Sequence, residues 1–97
     1  MKIYIIDFSE NTGFEVEAVE VEYCETYRLK TSQYFIYRKE LDSICFDGGQ
    51  YFSCSVYCTD KKMIFRYIDA MKKMVLEKID IRISKLKELK KKVKKFN

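Results

Sequence analysis

Four cysteines and no histidine are the residues with the most obvious chemistry to offer. As thiolates, Cys24, Cys45, Cys54 and Cys58 would satisfy the tetrahedral coordination of a structural zinc ion at about 2.3 Å per ligand, with Asp47 as a reserve oxygen ligand. Zinc knuckles usually place two cysteines two residues apart, whereas here only Cys54 and Cys58, three residues apart, form a close pair. On a straight strand their sulfurs stand about 13 Å apart, at about 3.3 Å per residue, so the chain would have to bend before Cys58 for both to reach one ion. The competing role is packing: Phe52, Cys54, Val56 and Cys58 alternate onto one strand face, and a thiol behaves there as a small buried hydrophobe. Nucleophilic catalysis needs a base beside its Cys or Ser, usually a histidine, and the chain has none. Glycine-rich phosphate loops and the helical zinc-protease and hydrolase-elbow motifs are also missing, so a non-enzymatic protein is expected.

Charge is the second signal. The net charge of +4 conceals two opposed halves: residues 1–60 carry five Lys/Arg against eleven Asp/Glu, and residues 61–97 carry fourteen against four. Glu15, Glu17, Glu20, Glu22 and Glu25 fall along the polar side of one predicted strand. Such a row keeps a sheet edge soluble and unpaired. It would also present carboxylates about every 6.6 Å, in the manner of a nucleic-acid backbone, to a basic groove on another protein. Tyr27, Tyr34, Tyr37 and Tyr51 are candidate anchors for such an interface, tyrosine being enriched where binding energy concentrates.

The elements that must position these residues follow from periodicity and turn chemistry. Residues 2–8 are β-branched and aromatic, and a turn cluster ending in Gly13 follows them. From Phe14 apolar residues alternate with glutamates, then change phase at Ala18 and Val19, which predicts one long strand with a bulge there, running on through Tyr27 and Leu29. A turn at residues 30–32, a strand at 33–38 and an irregular link at 39–43 come next. Asp47-Gly48-Gly49 signals a hairpin opening a last strand at residues 50–58, and Thr59 or Asp60 is the expected helix cap. The prediction is α+β: one domain spanning residues 1–97, with an antiparallel sheet of four to five strands in the acidic part, 1–59, and one long basic amphipathic helix over 60–97.

That helix carries an apolar stripe from Ile64 through Met71, Val75, Ile79 and Ile83 to Phe96, at steps of three or four. In its first half Met63, Phe65, Tyr67, Met74, Leu76 and Ile81 widen the stripe, which predicts burial in the core. In its second half the stripe narrows to Leu86, Leu89, Val93 and Phe96, the seam of a coiled coil, flanked by Lys85, Lys90 and Lys92. Those lysines would meet one another in a homodimer, so a monomer that seeks an acidic partner is expected. Lysine is also simply a good helix former that complements the negative end of the helix dipole. Nucleic acid bound through the lysines of residues 85–95 is the second reading.

The chain lacks a secretory leader pattern and any apolar run of the roughly 20 residues that span a bilayer, so a cytosolic protein without membrane contact is expected. Short, proline-free, rich in Lys, Ile, Tyr and Glu, and ending in a lysine-rich helix, it resembles the small proteins of bacteriophages and other mobile elements of AT-rich Gram-positive bacteria. Among these it is similar in style to anti-CRISPR and other anti-defence proteins. The resemblance implies stoichiometric binding to a host effector nuclease, often through an acidic surface that occupies its nucleic-acid channel. The alternative is a small basic-helix nucleic-acid-binding or phage accessory protein.

Overall fold

The chain is organised around a strand buried on both faces. In a computed structural model, which describes residues 1–48 and 52–96, β1 (Lys2–Ser9) sets Ile3 and Ile5 on one side and Tyr4, Ile6 and Phe8 on the other. β-Branched residues suit this position because their side chains pack well on a pleated surface. β2 (Gly13–Glu20) returns antiparallel beside β1 through a turn in which Gly13 adopts φ +73°, and the Ser9 and Thr12 hydroxyls bond at 2.5 Å. β3 (Glu22–Glu25), β4 (Arg28–Lys30) and β5 (Phe35–Tyr37) form a separate three-stranded antiparallel sheet. β6 (Cys45–Asp47) and β7 (Ser53–Cys58) then complete a four-stranded sheet in the order β2-β1-β7-β6. The hairpin joining β6 to β7 is where the glycines predict it, although its tip, including Gly49, lies outside the described residues.

The result is three layers. Ile3, Ile5 and Val21 pack against Leu29 and Ile36 of the small sheet. Ile6, Cys54, Val56 and Cys58 pack on the other face against Met71 and Val75 of helix α1 (Ile64–Lys95). The long second strand with a bulge at Ala18 and Val19 is corrected here. The β1–β2 register is unbroken from Ser9↔Gly13 to Lys2↔Glu20. Val21, which is buried, still exchanges backbone hydrogen bonds with Met1, donating its N–H to the Met1 carbonyl at 2.8 Å and accepting from the Met1 ammonium at 3.2 Å, and the chain passes from there into β3 of the small sheet. The phase change therefore marks a switch of the covered face within β2, from Phe14, opposite Phe8 on the helix side, to Val19, opposite Ile3 on the side of the small sheet.

The helix is capped as expected, with the Asp60 carboxylate accepting the Lys62 N–H at 3.0 Å, and a single 3-10 turn (Lys61–Met63) leads into α1. Thr59 has a different partner. Asp42, at φ +54°, accepts the Thr59 N–H at 3.0 Å and the Thr59 hydroxyl at 2.6 Å, and Tyr67 Oη lies 3.4 Å from it. Asp tolerates the left-handed region where most residues are strained. Asp42→Ala should cost about 1–3 kcal/mol in denaturant unfolding, and Asp42→Asn, which keeps the backbone preference and one acceptor, should cost less.

Only Met71 and Val75 of α1 are buried, so the expectation that the whole first half lies in the core is corrected. Phe65 is 78% exposed and Leu76 60%. The sheet is too small to cover more than one narrow face of the helix. Further along, Lys78 sits over the Phe46 ring at 5.3 Å and Arg82 over Phe52 at 4.9 Å. Glu10, in the β1–β2 turn, pairs with the Arg82 guanidinium and accepts the Phe52 N–H at 2.8 Å. The bond from Arg82, then that from Phe52, holds the Glu10 carboxyl below its ordinary value. This staple therefore contributes stability above the usual glutamate range and loses it on acidification through the depressed value. Beyond Arg82 every described residue of the helix is exposed. The radius of gyration is 17.8 Å and the extents are 63 × 24 × 21 Å, against about 13 Å for the radius of a compact chain of this size. The end of the helix projects from the body.

Candidate partner-binding surface

The acidic residues do not form one row. Glu15 and Glu17 share a face of β2 with Asp7 of β1, Asp7 lying directly opposite Glu15. Among the described residues neither Glu15 nor Glu17 makes an ion pair. Glu20, on the opposite face, lies 3.8 Å from the Met1 ammonium and 4.0 Å from Lys2 Nζ. Glu22 faces Lys30 across β3 and β4, and Glu25 pairs with Arg28. Hydrogen bonds from Tyr27 and then Arg28 hold the Glu25 carboxyl below its usual range. The evenly spaced backbone-like array is therefore corrected to a cluster of three carboxylates, because the chain changes sheets at Val21.

That cluster has an electrostatic signature. Partial desolvation, followed by the charges of Glu15 and Glu17, lifts the Asp7 carboxyl above its ordinary value. Burial, with Asp7 contributing, also raises the nearby Tyr34 and Tyr57 hydroxyls. A raised carboxyl value means that the folded state binds its proton more tightly than the unfolded chain, so stability falls as pH rises through the window just above the usual aspartate range. Asp7→Asn should consequently raise the melting temperature at pH 7 and flatten its decline between mildly acidic and neutral pH.

On the outer side of the small sheet, the Tyr27 and Tyr37 rings stack 6.3 Å apart and within 5° of parallel. The Arg28 guanidinium lies over Phe35 at 4.8 Å and over Tyr27 at 5.6 Å; on the opposite face, at the edge beside Met1, Arg38 lies over Tyr23 at 4.9 Å. Tyr27, Tyr34 and Tyr37 are exposed as an interface would require, while Tyr51 lies outside the described residues. Arg28 and Phe35 join this surface without having been expected there; their signal is the aromatic–arginine neighbours at 27–28.

The cysteines are not brought together. Cys54 and Cys58 are buried on the helix-facing side of β7, with Cys58 Sγ–H donating to the Asp60 carbonyl at 2.9 Å. Burial pushes both thiols up. Cys45 pairs with Ser55 and so lies on the other face of the sheet from Cys54, and Cys24 lies in the other sheet. β7 runs straight through both of its cysteines, leaving about 13 Å between them. Among the described residues no three Cys, Asp or Glu side chains are grouped to hold a metal ion.

The helix residues named from sequence are all exposed: Leu89 at 56%, Val93 at 67% and Phe96 at 88%, with Lys85, Lys90 and Lys92 around them. Leu76, Ile79 and Ile83, expected in the core, are exposed as well. The exposed apolar stripe thus begins ten residues, nearly three turns, before Leu86. Among the described residues no helix is long and apolar enough to cross a membrane. No protein-family model matches the chain, and no curated protein or solved structure is significantly similar to it.

Proposed function

We propose that this protein is a non-enzymatic inhibitor that binds stoichiometrically to a nucleic-acid-handling effector, of the anti-CRISPR kind, in the cytosol of a bacterial host. Its main contact is the projecting part of α1. The observation that carries this reading is the exposure of residues 83–96 on every side, with Leu86, Leu89, Val93 and Phe96 kept apolar among seven lysines of residues 85–95. An isolated helix end gains nothing from four large apolar side chains in water, whereas a partner that covers them does. The aromatic–arginine face of the small sheet, built from residue types that dominate interface energetics, supplies a second contact. The Asp7, Glu15 and Glu17 cluster is too short to imitate a strand of nucleic acid, and its part is to steer a basic partner.

The test is a titration of the full chain into cleavage assays with purified effector nucleases from candidate hosts. Inhibition should saturate at a fixed molar ratio and disappear with Leu89→Lys. Turnover-dependent inhibition, or none with any nuclease, would remove the reading. The same lysines favour a second reading, direct binding of nucleic acid. That reading requires salt-sensitive binding to an oligonucleotide, lost when Lys90, Lys91, Lys92, Lys94 and Lys95 become Gln.

A further inference from the structure

Leu76, Ile79, Ile83, Leu86, Lys90 and Val93 follow one another at steps of three, four, three, four and three, the spacing of a heptad seam. All six are exposed, although Leu76 and Ile79 lie on the part of the helix held to the sheet. At 100° per residue their stripe centres about 70° around the helix from Met71 and Val75, so the seam runs beside the sheet contact and then past it, without a break. It is roughly 27 Å long at 1.5 Å per residue. Five of its positions are apolar and one interior position, Lys90, is cationic.

We infer that this seam receives an acidic amphipathic helix from the partner, with a carboxylate placed to meet Lys90. The inference rests on the protein-binding reading above and specifies the partner's chemistry. Docking desolvates the Lys90 ammonium, which is costly without an opposing charge. A single charged interior position of this kind selects partner and register. Asp80, Lys87 and Lys94, at heptad spacing, flank the seam on one side, so that flank is basic only along the projecting part, and Leu89 and Phe96 widen the seam on the other side, with Lys85 and Lys92 beyond them. A second copy of this chain does not fit. In a parallel pair Lys90 would face Lys90, and in an antiparallel pair centred on the seam it would face Ile79, which offers no carboxylate. The occupant therefore supplies leucine-like side chains in its seam and glutamates around them.

The probe is a synthetic peptide of about three heptads with Leu in the seam, Glu on the flanks and one Glu opposite Lys90, together with a control in which each Glu is Lys. With the full chain, calorimetry should show one acidic peptide bound per chain, weakened at least about tenfold between about 0.05 and 0.5 M salt, and no binding of the control. Ile83→Lys and Leu86→Lys, both at exposed positions, should abolish binding while leaving the circular dichroism and melting temperature unchanged. Lys90→Glu should weaken the acidic peptide about tenfold and admit a control bearing Lys only at the seam position. The inference is overturned if the acidic peptide fails to bind the folded chain, or if both peptides bind equally. It is likewise overturned if sedimentation shows self-pairing lost in Leu86→Lys, or if Ile83→Lys and Leu86→Lys impair oligonucleotide binding instead. Peptide binding without inhibition of any nuclease supports the seam and counts against the inhibitory reading alone.

Discussion

Met71→Ala is expected to lower the unfolding free energy by about 2–5 kcal/mol, the range for deleting a large buried aliphatic side chain. Met71 has no accessible surface and packs with Ile6, Val56 and Cys58, the cluster that joins the helix to the central strand. Val75 is the one other buried residue of the helix, and partly buried neighbours such as Ile64, Tyr67 and Ile68 set how far the site can relax and hence where in that range the cost falls. A domain of this size has about 5–15 kcal/mol in total, so the variant should be partly unfolded at 37 °C. Met71→Leu, which nearly conserves volume, should cost less than about 1.5 kcal/mol. Urea unfolding followed by circular dichroism separates the two. Equal stabilities for Met71→Ala and the parent would mean that the helix does not hold the sheet through this residue.

Ending the chain after Ile83 is expected to leave the stability of the remaining fold within about 0.5 kcal/mol of the parent, while ending it after Ala70 should prevent folding. The first cut removes only exposed residues and keeps Arg82, with its pairing to Glu10 and its place over Phe52. The second removes Met71 and Val75 and opens the Ile6, Cys54, Val56 and Cys58 face to water. The shorter of the two cuts should also abolish inhibition, so that stability and activity part company at one position. A large loss of stability after the first cut would show that the projecting helix braces the body and is not held in reserve for a partner.

Much of this architecture was legible because its signals are local. The apolar alternation of residues 2–8, the Asp-Gly-Gly turn and the Asp60 cap each specify their own conformation within a few residues. Neither the switch of face within β2 nor the change of sheet at Val21 was legible. A bulge and a switch of the covered face both shift the alternation by one residue, and only the layers packed on the two sides of the strand decide between them. The division of the helix was half legible. Periodicity identifies which side chains are apolar, but how many a neighbouring layer can cover depends on that layer's width. Hence Leu86 to Phe96 were read correctly as exposed, while Leu76, Ile79 and Ile83 were not. The acidic array failed because its regular spacing assumed one continuous strand.

The place of β2 at the margin of the four-stranded sheet has a further consequence. Its outward backbone amides and carbonyls are a template onto which a like strand can add, and Glu15 and Glu17 keep such strands apart by mutual repulsion. Glu15→Gln together with Glu17→Gln removes that repulsion while leaving the strand in place. Concentrated solutions of that double variant should therefore lay β2 against β2 and scatter more light than the parent, the glutamates that steer a partner having served as the gatekeepers against assembly.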